Sequence, residues 1–203
     1  MALTTPVLAD GLRRMAAHMD TVSGELNALD GQLGDGDLGV TMTRGGRALQ
    51  EVLPKLPPDV GMALMACAQA ITKVSGSSYG TLLATGLLAA AKATRGRTEV
   101  PWSETAALLR AACDAMMTRG KAALGDKTVL DALDAAAAAA EGKSEPADIL
   151  QAAASAVDAT LERMRGMQAR IGRARIFGER SIGLDDPGMR AFREMLRGLK
   201  VQG

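Results

Sequence analysis

The sequence predicts an all-α fold, an up-and-down antiparallel bundle or barrel of about eight helices. Three observations carry that expectation. Aromatic residues make up only 2% of the chain, while alanine, leucine and 12 methionines supply the apolar content, a mixture suited to packed helices and poor in strand formers. Apolar residues recur at steps of three and four through one segment after another. The connections between these segments are short, and short connections favour antiparallel neighbours. A length of 203 residues suits one compact domain over 1–203 with a proper core.

Each helix has its own signal. In the first, Leu8, Leu12, Met15, Met19, Val22, Leu26 and Leu29 fall on one stripe, and the pattern ends just before Asp30. The second, from about Val40 to Leu53, is weakened at Gly45 and Gly46, where either the helix bends or another backbone approaches closely. The third runs from Pro58 to Lys73, with proline near its first turn and Leu64, Cys67 and Ile71 inward. A fourth starts near Ser78. After Pro101, the run SETAALLRAACDAMMTRG forms a helix that packs through Leu108, Ala112 and Ala115 and stops at Gly120. The sixth begins near Thr128 and continues through polyalanine to Glu141, where alanine acts as a helix former that lets neighbours come close. Ser144 and Pro146 open the seventh, whose inner face is Leu150, Ala154, Val157, Leu161 and Met164. Asp186 and Pro187 make an N-cap and first-turn pair for the last helix, with the stripe Met189, Phe192, Leu196 and Leu199.

Composition removes several functions. Lys+Arg at 24 nearly cancels Asp+Glu at 23, and no face-wide basic block supports nucleic-acid binding. The start, MALTTPVLADGLRRM, lacks the layout of a signal peptide, and no run is long and apolar enough for a membrane span, so the expected setting is the cytoplasm. Cys67 and Cys113 lack the paired spacing of a zinc or redox motif and fit two reduced thiols inside helices. His18, the only histidine, lies beside the first helix's stripe in a structural or solvent-facing role, which leaves Ser/His/Asp catalysis without support.

The chemistry concentrates in the turns. Asp30, Asp35 and Asp37, in LDGQLGDGDLGVTM, bring carboxylates together on a glycine-rich connection with no lysine or arginine between them. Oxygen ligands without histidine or cysteine suit magnesium or calcium, and magnesium commonly completes its octahedron with phosphate and water. Ordinary turn chemistry, with Asp37 as an N-cap, accounts for the same residues taken singly. The turn VSGSSYGTLLATG sets Ser75, Gly76, Ser77 and Ser78 before a helix, either as a phosphate cradle or as a serine cap. In GKAALGDKTVLDAL, Gly120 and Gly125 have the spacing of a P-loop, but Asp126 precedes Lys127 and Thr128 and no buried strand leads in, so it is not one. GRARIFGERSIGLDDPG mixes Arg173, Arg175, Glu179, Arg180 and Asp186 among four glycines, and its arginines suit a phosphate or a base. In an up-and-down bundle the turns near 30–38, 74–80, 120–128 and 172–188 share one end. A rim of helix termini there offers free N–H groups to phosphate.

Taken together, LDGQLGDGDLGVTM, GKAALGDKTVLDAL and GRARIFGERSIGLDDPG resemble, in that order, the nucleotide-binding L subunit of dihydroxyacetone kinases. The resemblance implies an eight-helix barrel that binds ADP or ATP at one end through two magnesium ions, with Asp30, Asp35 and Asp37 as metal ligands. It assigns Leu38, Gly39, Val40 and Thr41 to a nucleotide-contacting helix start and Ser77 and Ser78 to a phosphate loop. Gly120, Val129, Arg173, Asp186, Pro187 and Gly188 complete the nucleotide set. Leu38 and Leu184 stand where the family commonly has histidine, and Ser78-Tyr79-Gly80 departs from the usual serine-glycine arrangement.

The implied activity is phosphoryl transfer by a partner-dependent glycerone or small-ketose kinase, with no catalytic side chain assigned on this chain. A separate K-type subunit holds the ketose, and the nucleotide is either exchangeable ATP or bound ADP recharged by a phosphotransferase-system protein. The alternatives are the nucleotide-binding component of a fatty-acid-kinase-like system and a nucleotide-loaded regulatory subunit acting on a transcription regulator.

Overall fold

The computed structural model of the chain describes residues 2–200. Among these, eight α-helices follow one another: α1 (Thr5–Leu33), α2 (Leu38–Val52), α3 (Val60–Val74), α4 (Ser78–Thr94), α5 (Thr105–Gly120), α6 (Val129–Ala140), α7 (Pro146–Arg165) and α8 (Pro187–Leu199). Each packs on its successor and α8 returns to α1, so the helices close into a ring, with α6 also reaching α8. Two short strands, β1 (Ala2–Leu3) and β2 (Val100–Pro101), pair antiparallel and tie the start of the chain to the α4–α5 connection.

The expected stripes form the interior. Met15, Met19 and Leu26 of α1 pack with Met42, Leu49, Cys67, Ile71 and Ala191, while Val129, Leu133, Val157, Leu161, Met189 and Phe192 build a second cluster across α6, α7 and α8. Both cysteines are buried, and desolvation pushes each thiol up to about 11, which keeps them protonated and apolar in character. With so few aromatics and so many small residues facing inward, the ring is not filled. An apolar cavity of about 220 Å³ remains inside it, bordered by Met19, Gly46, Ile71, Gly86, Met116 and Phe192.

Several boundaries differ from expectation. α1 does not stop before Asp30 but runs one turn further to Leu33, because Leu33 is buried against Ala169 and Ala174 and rewards the extension. α2 starts two residues earlier than Val40 and stays helical through Gly45 and Gly46. The glycine at 46 is there for close approach, since a Cβ would come within 3.2 Å of the Ala16 methyl. α3 begins after Pro58, at the N-cap Asp59, whose carboxylate accepts the Met62 amide at 2.9 Å. α5 packs through the expected Leu108 and Ala112, but its buried positions are Cys113 and Met116 in place of Ala115. Gly120 is the last residue of α5, and the left-handed turn after it falls on Lys121 (φ 50°). His18 is structural as expected: its Nε2 lies 2.9 Å from the carboxylate of Glu194, which is buried and also paired to Arg193 and Arg197. Among the described residues no helix is long and apolar enough to cross a membrane.

Candidate metal and nucleotide site

Because the chain reverses at each connection, the α1–α2, α3–α4, α5–α6 and α7–α8 turns share one end of the ring. Direct contacts join them. The Tyr79 hydroxyl at the start of α4 donates to the Gly188 carbonyl at the start of α8 at 3.0 Å. The Arg170 amide donates to the Asp126 carbonyl at 3.1 Å. The Arg173 guanidinium pairs with the Asp35 carboxylate across from the α7–α8 connection.

Asp30, Asp35 and Asp37 do converge: each offers a carboxylate oxygen, and these oxygens all lie within 4.8 Å of one another. Asp30 sits on the last turn of α1 and is partly exposed, while Asp35 and Asp37 are exposed on the connection. Turn chemistry does not absorb them. Asp37 occupies the N-cap position of α2, yet its side chain makes no cap hydrogen bond. The capping is done from α1 instead: Asn27 Oδ1 accepts the amides of Gly39 at 2.7 Å and Val40 at 3.2 Å. One oxygen of Asp30, Oδ2, accepts the amides of Asp37 at 3.0 Å and Leu38 at 3.3 Å. The α2 amides are therefore satisfied without Asp37 or the second Asp30 oxygen, and Asp35 meets the exposed Arg173 guanidinium, so the cluster stays open to a cation. A set made only of carboxylates fits a hard divalent ion such as magnesium or calcium.

Gly39 makes this geometry possible. A Cβ on it would collide with the Ser23 carbonyl, at 2.7 Å from the carbon, and with Asn27 Oδ1 at 2.8 Å, so α2 starts pressed against α1 as only glycine allows. Leu38, where the family commonly has histidine, is buried in the α1–α2–α3 cluster and turns away from the carboxylates. Val40 is exposed, and Thr41 borders the inner cavity.

The serine turn contains the cap that its residues suggest. Ser77 is a cap, its hydroxyl accepting the Gly80 amide at 3.1 Å and meeting Ser75 Oγ at 3.3 Å, whereas Ser78, the first residue of α4, is exposed at the helix N-terminus. Gly120 and Val129 flank the third turn at the end of α5 and the start of α6. Val129 is buried and borders the cavity. Thr128 and Asp131 form the capping box of α6. Asp186 is the N-cap of α8, accepting the Met189 amide at 2.8 Å, and Pro187 is buried behind it. Desolvation pushes the Asp186 carboxyl up to about 7 against the amide bond that favours its charge.

Arg173 opens a 3-10 segment, Arg173–Ser181, that is broken at Gly178, where φ is 55°. Its backbone rests on a small apolar cluster of Leu33, Ala169, Ala174, Phe177 and Leu184. Leu184, the second departure from the family's histidine, thus packs beneath the acidic connection. Two residues that the sequence did not single out for the site shape it: Asn27, legible only as a polar residue one turn before Asp30, and Lys127, whose ammonium is buried among backbone carbonyls.

Residues 32–200 match the DAK2 domain. The ADP-binding subunit DhaL of the PEP-dependent dihydroxyacetone kinase of Escherichia coli is 32% identical, over 99% of this chain and 98% of its own length. Human triokinase/FMN cyclase is 37% identical over 93% of this chain and 33% of that protein. The crystal structure of the dihydroxyacetone kinase of C. freundii in complex with AMP-PNP and Mg2+ superposes with a TM-score of 0.75 at 25% identity, covering 98% of this chain and 34% of the kinase. The chain thus spans about a third of those two longer proteins. A helical ring with an acidic connection at one end, matched along nearly its whole length by such relatives, places this chain in the DAK2 domain family.

Proposed function

We propose that the chain, as one L-type domain over 1–203, is the ADP- or ATP-binding subunit of a dihydroxyacetone-type small-ketose kinase. The observation that carries this reading is the convergence of three carboxylate groups whose oxygens lie within 4.8 Å of one another, faced by Arg173, on a rim of helix N-termini. Asp30, Asp35 and Asp37 would hold two magnesium ions, which when bound supply charge neutralisation to the phosphate oxygens. The rest of the site is built for position and charge. Ser78 and the N-terminus of α4 offer amides and a hydroxyl to phosphate, and Arg173, displaced from Asp35 when the carboxylates take a cation, is free to turn to a phosphate oxygen. Leu38, Gly39, Val40 and Thr41 form the wall on one side, Gly120 and Val129 another, and the Asp186-Pro187-Gly188 turn a third.

Phosphoryl transfer of this kind needs little covalent chemistry from the protein, and no side chain of this chain is given a catalytic role. The ketose is held by a separate K-type subunit, and His18, engaged with Glu194 along the α1–α8 contact, is not offered to it. The nucleotide is either exchanged as ATP or retained as ADP and recharged by a phosphotransferase-system protein, in the cytoplasm. The names of relatives that are kinase subunits support a partner-dependent kinase over a regulatory or fatty-acid-linked role.

The test is a magnesium-dependent ADP titration of the purified chain beside Asp35→Asn and Asp37→Asn, followed by ketose phosphorylation with a K-type partner. Either substitution is expected to weaken magnesium-ADP binding by about 100-fold and to abolish transfer, with an unchanged circular-dichroism spectrum. Undiminished turnover by either variant refutes the metal role.

A further inference from the structure

Among the described residues Lys127 is the largest fully buried side chain, 1% exposed, and it lies at the rim without touching the acidic cluster. Its ammonium donates to the carbonyl oxygens of Met167 at 2.8 Å, Ser181 at 2.8 Å and Arg165 at 3.3 Å. Three N–H donors meet three acceptors, so none is left for a phosphate, unlike a P-loop lysine. Burying an ammonium is expensive unless its donors are all engaged, and desolvation indeed lowers its pKa. Its backbone is held in the left-handed region at φ 62° to deliver that side chain. The three acceptors are informative: Arg165 ends α7, Met167 follows it, and Ser181 ends the segment that begins with Arg173. A single cation therefore caps α7 and ties the start of the α7–α8 connection to the end of its 3-10 segment. The Ser181 hydroxyl adds a second lock, accepting the Ala169 amide at 2.9 Å and donating to the Gly178 carbonyl at 2.6 Å. Between these anchors stands Arg173, opposite Asp35.

We propose that Lys127 is a positioning residue of the nucleotide site: by gathering the carbonyls of Arg165, Met167 and Ser181 it sets where the Arg173 guanidinium stands over the acidic connection. This rests on the nucleotide reading above. Lys127 then acts through Arg173, and the two substitutions must be non-additive.

The experiment is a double-mutant cycle on magnesium-ADP affinity by calorimetric titration of the full chain, with Lys127→Met, Arg173→Ala and both together. Each single variant is expected to lose about tenfold in affinity, and the pair no more than Arg173→Ala alone, since a misplaced guanidinium is nearly as poor as an absent one. Losses that multiply in the pair, or a Lys127→Met chain that melts earlier yet binds as tightly as the parent, overturn the role and leave a plain stability residue. If Lys127→Met does not fold, Ser181→Ala, which releases the same segment and keeps the ammonium, enters the cycle in its place with the same two outcomes. A parent chain that fails to bind magnesium-ADP sinks the nucleotide reading itself, and this role with it.

Discussion

The two ends of the helical ring use the same residue types in opposite ways. At the end formed by the α2–α3, α4–α5 and α6–α7 connections, the carboxylates near the chain's start are spent on the protein. Asp59 accepts the amides of Met62 at 2.9 Å and Gly96 at 2.7 Å, and Glu104 takes both arms of Arg97 at 2.7 Å each. The Met62 amide beside Asp59 and the Arg97 guanidinium beside Glu104 hold both carboxyls below the usual range. At the other end, backbone caps are supplied by Asn27 and one oxygen of Asp30, and Asp35 and Asp37 are kept out of helix capping. Asp37, whose carboxylate caps nothing in its own chain, beside Asp35, which meets only the exposed Arg173 guanidinium, marks a place prepared for something from outside.

Three substitutions strain this contrast, in falling order of effect. Gly39→Ala attacks the close packing that frees the rim carboxylates. Its methyl has no space against Ser23 and Asn27, so a loss of about 3 kcal/mol in chemical denaturation is expected, together with weakened magnesium binding. A Gly39→Ala chain as stable as the parent would show that the α1–α2 contact yields easily and that the Asn27 cap is dispensable.

The second substitution concerns pH. A carboxyl raised to about 7 stabilises the fold in full below its ordinary value of 3.8, and that contribution is lost as pH rises toward 7. Asp186→Asn keeps the N-cap acceptor and removes the titration. It should gain on the parent as pH is raised from 4 to 8, by about 2 kcal/mol at the top of that range. Thermal melts across pH check it, and parallel curves for the two chains count against a desolvated Asp186. Asp59 and Glu104 have the opposite sign, since lowered carboxyls contribute above their ordinary values and lose that contribution as pH falls through the folded ones. The third and mildest is Asp59→Ala, which removes the α3 cap at the far end. A melting temperature lower by a few degrees is expected, with magnesium-ADP affinity untouched. A shift in affinity would mean that the two ends communicate through α3 and α4.

Much of this was open to reading along the chain. The stripes of α1, α7 and α8 correspond to the buried faces, Asp186 caps the last helix as expected, and the sixth begins next to Thr128. The acidic motif was legible because Asp30, Asp35 and Asp37 lie within eight residues, so any turn there brings them close. On α5 the burial of Cys113 and Met116 in place of Ala115 was not legible, because alanine and methionine occupy neighbouring positions and local hydropathy does not separate them. Leu38 is assigned to the nucleotide on motif alone, and its packing into the α1–α2–α3 cluster is visible only once the helices meet.

Helical periodicity, caps and the spacing of acidic residues depend on neighbours within one or two turns, and the sequence by itself therefore determined the eight helices and the acidic connection. Other features need residues that meet only after the ring closes: Asn27 across from the start of α2, Arg173 over Asp35, Lys127 against carbonyls 38 to 54 residues away, and the cavity that small inward side chains leave unfilled. No local preference encodes those meetings, because each is set by the packing of whole helices, and so the tertiary structure alone decided them.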